Sequence, residues 1–189
     1  MRVLVLTFTC AFASSAHADS IYVSESAGAV RPGDQAVGML SSGEQAEFHF
    51  GVQLGHWGIE LELIDAWLEA NTLQQTVELT AVGLGTRYVQ PMSRHWSMYL
   101  HGRVMRGWTD FSDSSGNGFG GGAGVQLEGH ARIGQCSFEA ALFVEADEDF
   151  YRLRTIFEGA EQVTVHRAQP DLDVTMSALA LGVALGGDF

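Results

Sequence analysis

The sequence predicts an all-β protein: a closed, antiparallel, up-and-down barrel of eight strands that crosses a membrane. Three observations predict it. Apolar and polar residues alternate with period two in segment after segment. The connections between those segments alternate between short and long. The aromatic residues gather at segment ends rather than at their middles.

Composition sets the frame. The length of 189 residues suits one domain. There are 23 acids against 10 bases, every base is Arg, and the formal net charge is -13. That balance argues against a nucleic-acid partner, whose phosphates need a basic footprint. With 46% hydrophobic and only 17% charged residues, the chain is too apolar to be disordered. It lacks the run of ~18 apolar residues that a transmembrane helix needs. Strands, however, cross a bilayer with a weaker signal per segment.

Residues 1–18 have the pattern of a cleaved leader. Met1-Arg2 is a short positive start, residues 3–13 form an apolar run, and Ala16-His17-Ala18 is a small-x-small cleavage site. The expected exported domain is residues 19–189, cleaved after Ala18. It retains one cysteine, Cys136, and so has no internal disulfide.

The elements follow in order. A first strand is expected near residues 21–30, with a poor pattern, and then a long loop over residues 31–45. From Ala46, residues Phe48, Phe50, Val52 and Leu54 are apolar, against Glu47, His49, Gly51 and Gln53. Ile59, Leu61 and Leu63 alternate with Glu60 and Glu62. Residues 76–90 are β-prone with confused faces: Val77 and Leu79 lie on one, Val82, Leu84 and Tyr88 on the other, which suggests a bulge. Trp96, Met98, Leu100 and Val104 alternate with Ser97, Tyr99, His101 and Arg103. Phe119, Ala123, Val125, Leu127 and Ile133 oppose Gln126, Glu128, His130 and Arg132. Phe138, Ala140, Leu142 and Val144 face away from Ser137, Glu139, Glu145 and Asp147. Leu179, Leu181, Val183, Leu185 and Phe189 close the chain, with small residues between them. Residues 55–58, 91–94 and 134–135 are tight turns. Residues 70–74, 109–117 and 152–172 read as longer polar loops. The three prolines fall between strand patterns, where a missing N–H does no harm.

Alternation alone leaves open which face points inward. The polar faces carry Glu60, Glu62, His101, Arg103, Glu128, His130, Arg132 and Glu139. Charges of both signs on matched faces suit a packed barrel interior. Across the turn at Gly134-Gln135, His130 is expected opposite Glu139, with Arg132 diagonal to it. Trp57, Tyr88, Trp96 and Phe189 lie by the short turns. Trp67, Trp108, Phe111, Phe119, Phe150 and Tyr151 lie by the long loops. This gives the two girdles expected of rings at bilayer interfaces. The apolar stretches also approach the ~9–11 residues a tilted strand needs to span hydrocarbon. Backbone at that depth must be fully paired, so the sheet must close.

With its leader, short turns, long loops and a last strand ending Leu181-Gly182-Val183-Ala184-Leu185-Gly186-Gly187-Asp188-Phe189, the chain resembles the small eight-stranded outer-membrane barrels of Gram-negative bacteria. This is the group of the outer membrane protein A transmembrane domain and the outer-membrane β-barrel domain proteins. The resemblance covers all of residues 19–189. It implies a monomeric, non-enzymatic protein of the bacterial outer membrane without a cofactor. Its partners would be membrane lipid and lipopolysaccharide, and it would work in envelope integrity or in surface interaction through its loops. It also implies that Leu181, Val183, Leu185 and the terminal Phe189 form the signal read by the barrel-assembly machinery.

His95-Trp96-Ser97 is similar to the His-x-Ser of outer-membrane lipid A deacylases, in which a base activates a hydroxyl. Its place beside the Pro91 turn is the wrong end for the outer leaflet, so a lipid-modifying enzyme is the weaker reading. Glu145, Asp147, Glu148 and Asp149 form an acidic cluster, read as a solvated rim rather than a Ca²⁺ loop. The Gly-rich run at residues 116–124 continues into an alternating strand and reads as a strand end with small inward residues; with no following helix or Lys it is not a phosphate loop. The seven His show no metal spacing on one face, and Cys136 falls on the lipid-facing parity. A soluble exported lipocalin-like barrel with an apolar ligand is the remaining alternative.

Overall fold

The computed structural model describes residues 20–33, 40–70, 75–111, 114–132, 138–157 and 172–188. Residues 1–18, Phe189 and Cys136 lie outside these, as do the turn at Gly134-Gln135 and Pro170. Eight strands run in chain order: β1 (Ser20–Pro32), β2 (Leu40–Leu54), β3 (Trp57–Ala70), β4 (Gln75–Pro91), β5 (Trp96–Phe111), β6 (Ser114–Arg132), β7 (Phe138–Phe157) and β8 (Leu172–Asp188). Each pairs antiparallel with the next, and β8 pairs with β1 from Ser20↔Asp188 to Pro32↔Met176. The sheet is thus a closed up-and-down barrel, as the alternation predicts, and has no free edge.

The stagger of the barrel follows from its register. Glu25 pairs directly with Val183 of β8. Followed the other way around, through Phe48, Leu63, Val82, Arg106, Phe119 and Arg152, the same row arrives at Asp173, ten residues from Val183. Ten residues over eight strands at ~4.8 Å spacing give a tilt of about 40°. Each residue then climbs about 2.5 Å along the barrel axis. β4 and β8, at 17 residues, rise about 42 Å, well beyond the ~25 Å apolar band of a membrane barrel.

That surplus length explains the confused faces of residues 76–90. β4 pairs without a break on both sides, so it has no bulge. Its amphipathy reverses instead. Nearest the short turns, Leu84 and Val82 point outward and Arg87, Gly85 and Gly83 inward. Farther up, Thr80, Glu78 and Thr76 point outward and Ala81, Leu79 and Val77 inward. β3 does the same: outward Ile59, Leu61 and Leu63 give way to Asp65 and Glu69, and inward Glu60 and Glu62 give way to Ile64, Ala66 and Leu68. In β8 the outward run ends at Leu179, above which Ser177 and Thr175 are exposed and Met176 and Val174 buried. The outward apolar runs last about eight to ten residues. The barrel has a polar interior inside an apolar belt, then an apolar interior inside a polar wall. A hydrophobic cluster built on Ile64, Leu68, Leu79, Met105, Tyr151 and Met176 fills the long-loop end.

Several element boundaries differ from the sequence expectation. β2 begins at Leu40, with an irregularity between Ser41 and Glu44, so residues 31–32 and 40–45 of the expected loop over 31–45 are strand. Residues 109–111 and 114–117 are paired strand too, with Asp110↔Ser115 and Phe111↔Ser114. Polar and Gly-rich composition there marks strands that leave the apolar belt, not a loop. Across the β6–β7 connection, Arg132 faces Glu139 and His130 faces Ala141, a two-residue offset from the expected pairing. At the β2–β3 turn, Gly55 has φ 59°, a left-handed conformation that glycine adopts without strain.

Candidate functional site: a polar cluster inside the barrel

The apolar belt encloses two layers of polar side chains. The layer nearest the short turns centres on Arg87. Its guanidinium carbon lies 3.2 Å from the Tyr22 ring centre and 4.5 Å from that of Tyr99, a double cation–π contact. Arg87 Nε donates to Gln53 Oε1 at 3.0 Å, and Tyr22 Oη donates to Glu60 Oε2 at 2.7 Å. A cavity of about 80 Å³, lined by Tyr22, Arg87, Tyr99, Glu128, His130 and Glu139 among others, lies at this end. Glu128 is buried, the His130 side chain is 19% exposed, and the Glu139 side chain, 41% exposed, stands at the rim.

The second layer centres on Arg103. Its Nη1 donates to Glu47 Oε2 at 2.9 Å and Glu62 Oε2 at 3.0 Å. Its Nε and Nη2 donate to the two oxygens of Asp149, both at 2.9 Å. This fork-on-carboxylate geometry is the strong form of an ion pair. His49 Nε2 stands 3.1 Å from Glu47, and His101 Nε2 stands 2.6 Å from Asp147 Oδ1. The two imidazoles stack with centroids 6.4 Å apart.

The register explains how long side chains converge in so narrow a space. His101 of β5 and Asp147 of β7 both pair with Gly124 of β6, while Arg103 and Asp149 both pair with Gly122. A Cβ on Gly124 would strike Asp147 and His101, and one on Gly122 would strike Asp149. The inward glycines of β6 are the floor over which β5 bases reach β7 acids. The Gly-rich run of β6 makes room for this cluster.

Of the interior residues expected from sequence, Glu60, Glu62, His101, Arg103 and Glu128 are buried within the barrel. Arg132 is placed only by its backbone pairing. The acidic cluster is corrected: Glu145, Asp147 and Asp149 are buried and only Glu148 faces outward. The alternation carries them inward, because they share parity with Phe143, which is also buried. Tyr151 is corrected on the same ground. Expected in a girdle, it is fully buried, with its hydroxyl 3.5 Å from Met105 Sδ. Trp57, Trp96, Trp67, Trp108, Phe119 and Phe150 are exposed on the outer wall, and Tyr88 packs edge-on to Trp57 at 5.1 Å. Arg106 lies 5.6 Å and 5.4 Å from the Trp108 and Phe119 ring centres. Leu181, Val183 and Leu185 face outward. His95 is exposed in the β4–β5 turn, while Ser97 is buried. Glu25 is exposed on the outer wall, with Phe48 and Val183 as its paired neighbours.

No protein-family profile matches the chain, and no curated protein does. Among solved structures, the chain is similar to Neisserial surface protein A (NspA), with 14% identity and a TM-score of 0.54 over 89% of this chain and 97% of that one. A further match, a TodX monoaromatic hydrocarbon channel deletion mutant, has 6% identity and a TM-score of 0.25, covering 90% of each chain. The first likeness establishes the fold: both chains form the same small antiparallel barrel.

Proposed function

We propose that this chain is a non-enzymatic integral protein of the bacterial outer membrane, exported with residues 1–18 as a cleaved leader and monomeric in the bilayer. One observation carries the reading. The outward apolar runs end at the height where the inward face turns from charged to apolar. A soluble barrel gains nothing from a wall that exposes Ile59, Leu61, Leu84, Val104, Leu142 and Leu181, each at least 42% exposed. A single exposed patch of that extent marks an interaction surface. One that encircles the molecule over about 25 Å marks lipid. The fold shared with Neisserial surface protein A supports the same location.

In this reading the polar long-loop end stands above the bilayer, among lipopolysaccharide headgroups. The loops it carries serve envelope integrity or surface interaction. The outward residues Leu181, Val183 and Leu185, with Phe189, serve recognition by the barrel-assembly machinery. The Arg103 cluster and the apolar plug above it close the interior, so the protein is not a pore. Cell fractionation with gel mobility before and after heating tests this. The protein should partition with the outer membrane and migrate faster unheated. Recovery as a monomer in detergent-free buffer would refute the reading and favour the lipocalin-like alternative. Planar bilayers should show no porin-like steady conductance.

A further inference from the structure

Among the described buried side chains, seven carboxyl groups face two arginines and two histidines. Full protonation of both histidines still leaves more negative than positive charge. Arg103 bonds Glu47, Glu62 and Asp149, although Glu62 Oε1 and Glu60 Oε1 accept no hydrogen bond. Glu145 is fully buried, yet neither of its oxygens accepts a hydrogen bond, and Asp147 Oδ2 accepts none either. Orphaned carboxylate oxygens in a low-dielectric interior are costly unless the group takes up a proton or something of opposite charge meets them.

The three orphaned oxygens of Glu145 and Asp147 share one place, while those of Glu60 and Glu62 lie by His49. One donor atom each from His101, Glu145 and Asp147 lies within 4.8 Å of the others, and all three residues are buried. His101 Nδ1 is 3.3 Å from Glu145 Oε1, and the nearest Arg103 nitrogen stands 3.8 Å from Asp147 Oδ1. We propose that His101, Glu145 and Asp147 form a binding site for one divalent transition-metal cation of the zinc class, enclosed in the barrel. The donor set favours that class. One imidazole and two carboxylates suit a borderline ion with bonds of ~2.0–2.2 Å. Calcium wants six to eight oxygens, and magnesium keeps several waters. The register brings the ligands together: His101 of β5 and Asp147 of β7 both pair with Gly124 of β6, and Glu145 pairs with the inward Gln126 of the same strand. Glu47 and His49 approach the same Glu145, their donor atoms again within 4.8 Å. The His residues come from different strands, which is why no spacing along one strand reveals them. The proposal rests on the interior geometry alone and does not depend on where the barrel resides.

The test uses residues 19–189 refolded into detergent micelles with Co²⁺ or Zn²⁺ present, because the enclosed site must load as the barrel closes. After removal of excess ion, the folded protein should retain one metal per chain by elemental analysis, with a Co²⁺ ligand-field spectrum. Mg²⁺ should not compete. Glu145→Gln and His101→Gln should each weaken retention roughly tenfold or more, while the outward Glu148→Gln should not. Gel mobility before and after heating reports whether each variant has folded. A folded wild type without stoichiometric metal overturns the proposal, whatever the variants do. Equal retention in wild type, Glu145→Gln and His101→Gln also overturns it, since the ion then sits on surface histidines.

Discussion

The reversal of amphipathy makes one strand a ruler for the bilayer. On β3, Leu61 lies four residues above Trp57, about 10 Å along the axis and near the middle of a ~25 Å apolar band. Glu69 lies twelve residues above Trp57, about 30 Å up and beyond the band. Leu61 is 42% exposed on the outer wall and Glu69 is also exposed outward, whereas Leu68, one residue before Glu69, is 2% exposed and faces the plug. Leu61→Arg should therefore cost about 2–4 kcal/mol, the range for a cation near the midplane of a membrane barrel, and Glu69→Arg about 0–1. Leu68→Ala should cost about 2–5 kcal/mol, as in any close-packed core. Urea unfolding of the protein in lipid vesicles, followed by tryptophan fluorescence and heat-dependent gel mobility, reads all three. Equal costs for Leu61→Arg and Glu69→Arg would refute the ruler. A neutral Leu68→Ala would refute the apolar plug.

Arg103→Met should destabilise by about 3–5 kcal/mol, because Glu47, Glu62 and Asp149 lose their shared cation in a dry interior; a shift in urea midpoint checks it. Gly124→Ala should block folding or lower stability sharply, since its Cβ would strike His101 and Asp147, while Gly102→Ala meets only Gly122 O at 3.9 Å and should be tolerated. Glu25→Leu should raise stability in vesicles, because it removes a carboxylate from the outward belt of β1. Beyond that belt, Arg152 donates to both oxygens of Asp173 at 2.8 and 3.1 Å and holds its carboxyl below the usual aspartate range. A depressed value makes the pair stabilising above the unfolded value and lost as pH falls through the folded one. Carbon-detected titration of Asp173 should show this, and Arg152→Gln should move the midpoint up.

The barrel was legible because period-two alternation needs no tertiary information. Glu47, His49, Glu60, Glu62, His101 and Arg103 fall on the inward face by parity alone. What parity could not reveal is the height at which the environment changes. In β4, Val77 and Val82 face opposite sides, and the contrast resolves only when the strand is known to outrun the bilayer. The same blindness put Tyr151 in a girdle and the β7 acids on a rim, since both lie where outer wall and plug exchange character. The glycines of β6 were readable as small inward residues. Their purpose was not, because it depends on which β5 and β7 residues they separate, and those lie many positions away in the chain.

The most direct measurement of the membrane account is a nitroxide scan in vesicles on a Cys136→Ser background. Labels at positions 61, 142 and 183 should be open to oxygen and closed to a water-soluble nickel reagent. Labels at 69, 78 and 148 should show the reverse. Nickel accessibility at 61 and 142 equal to that at 69 and 78 would mean that the apolar belt meets water, and the membrane-spanning account would be wrong.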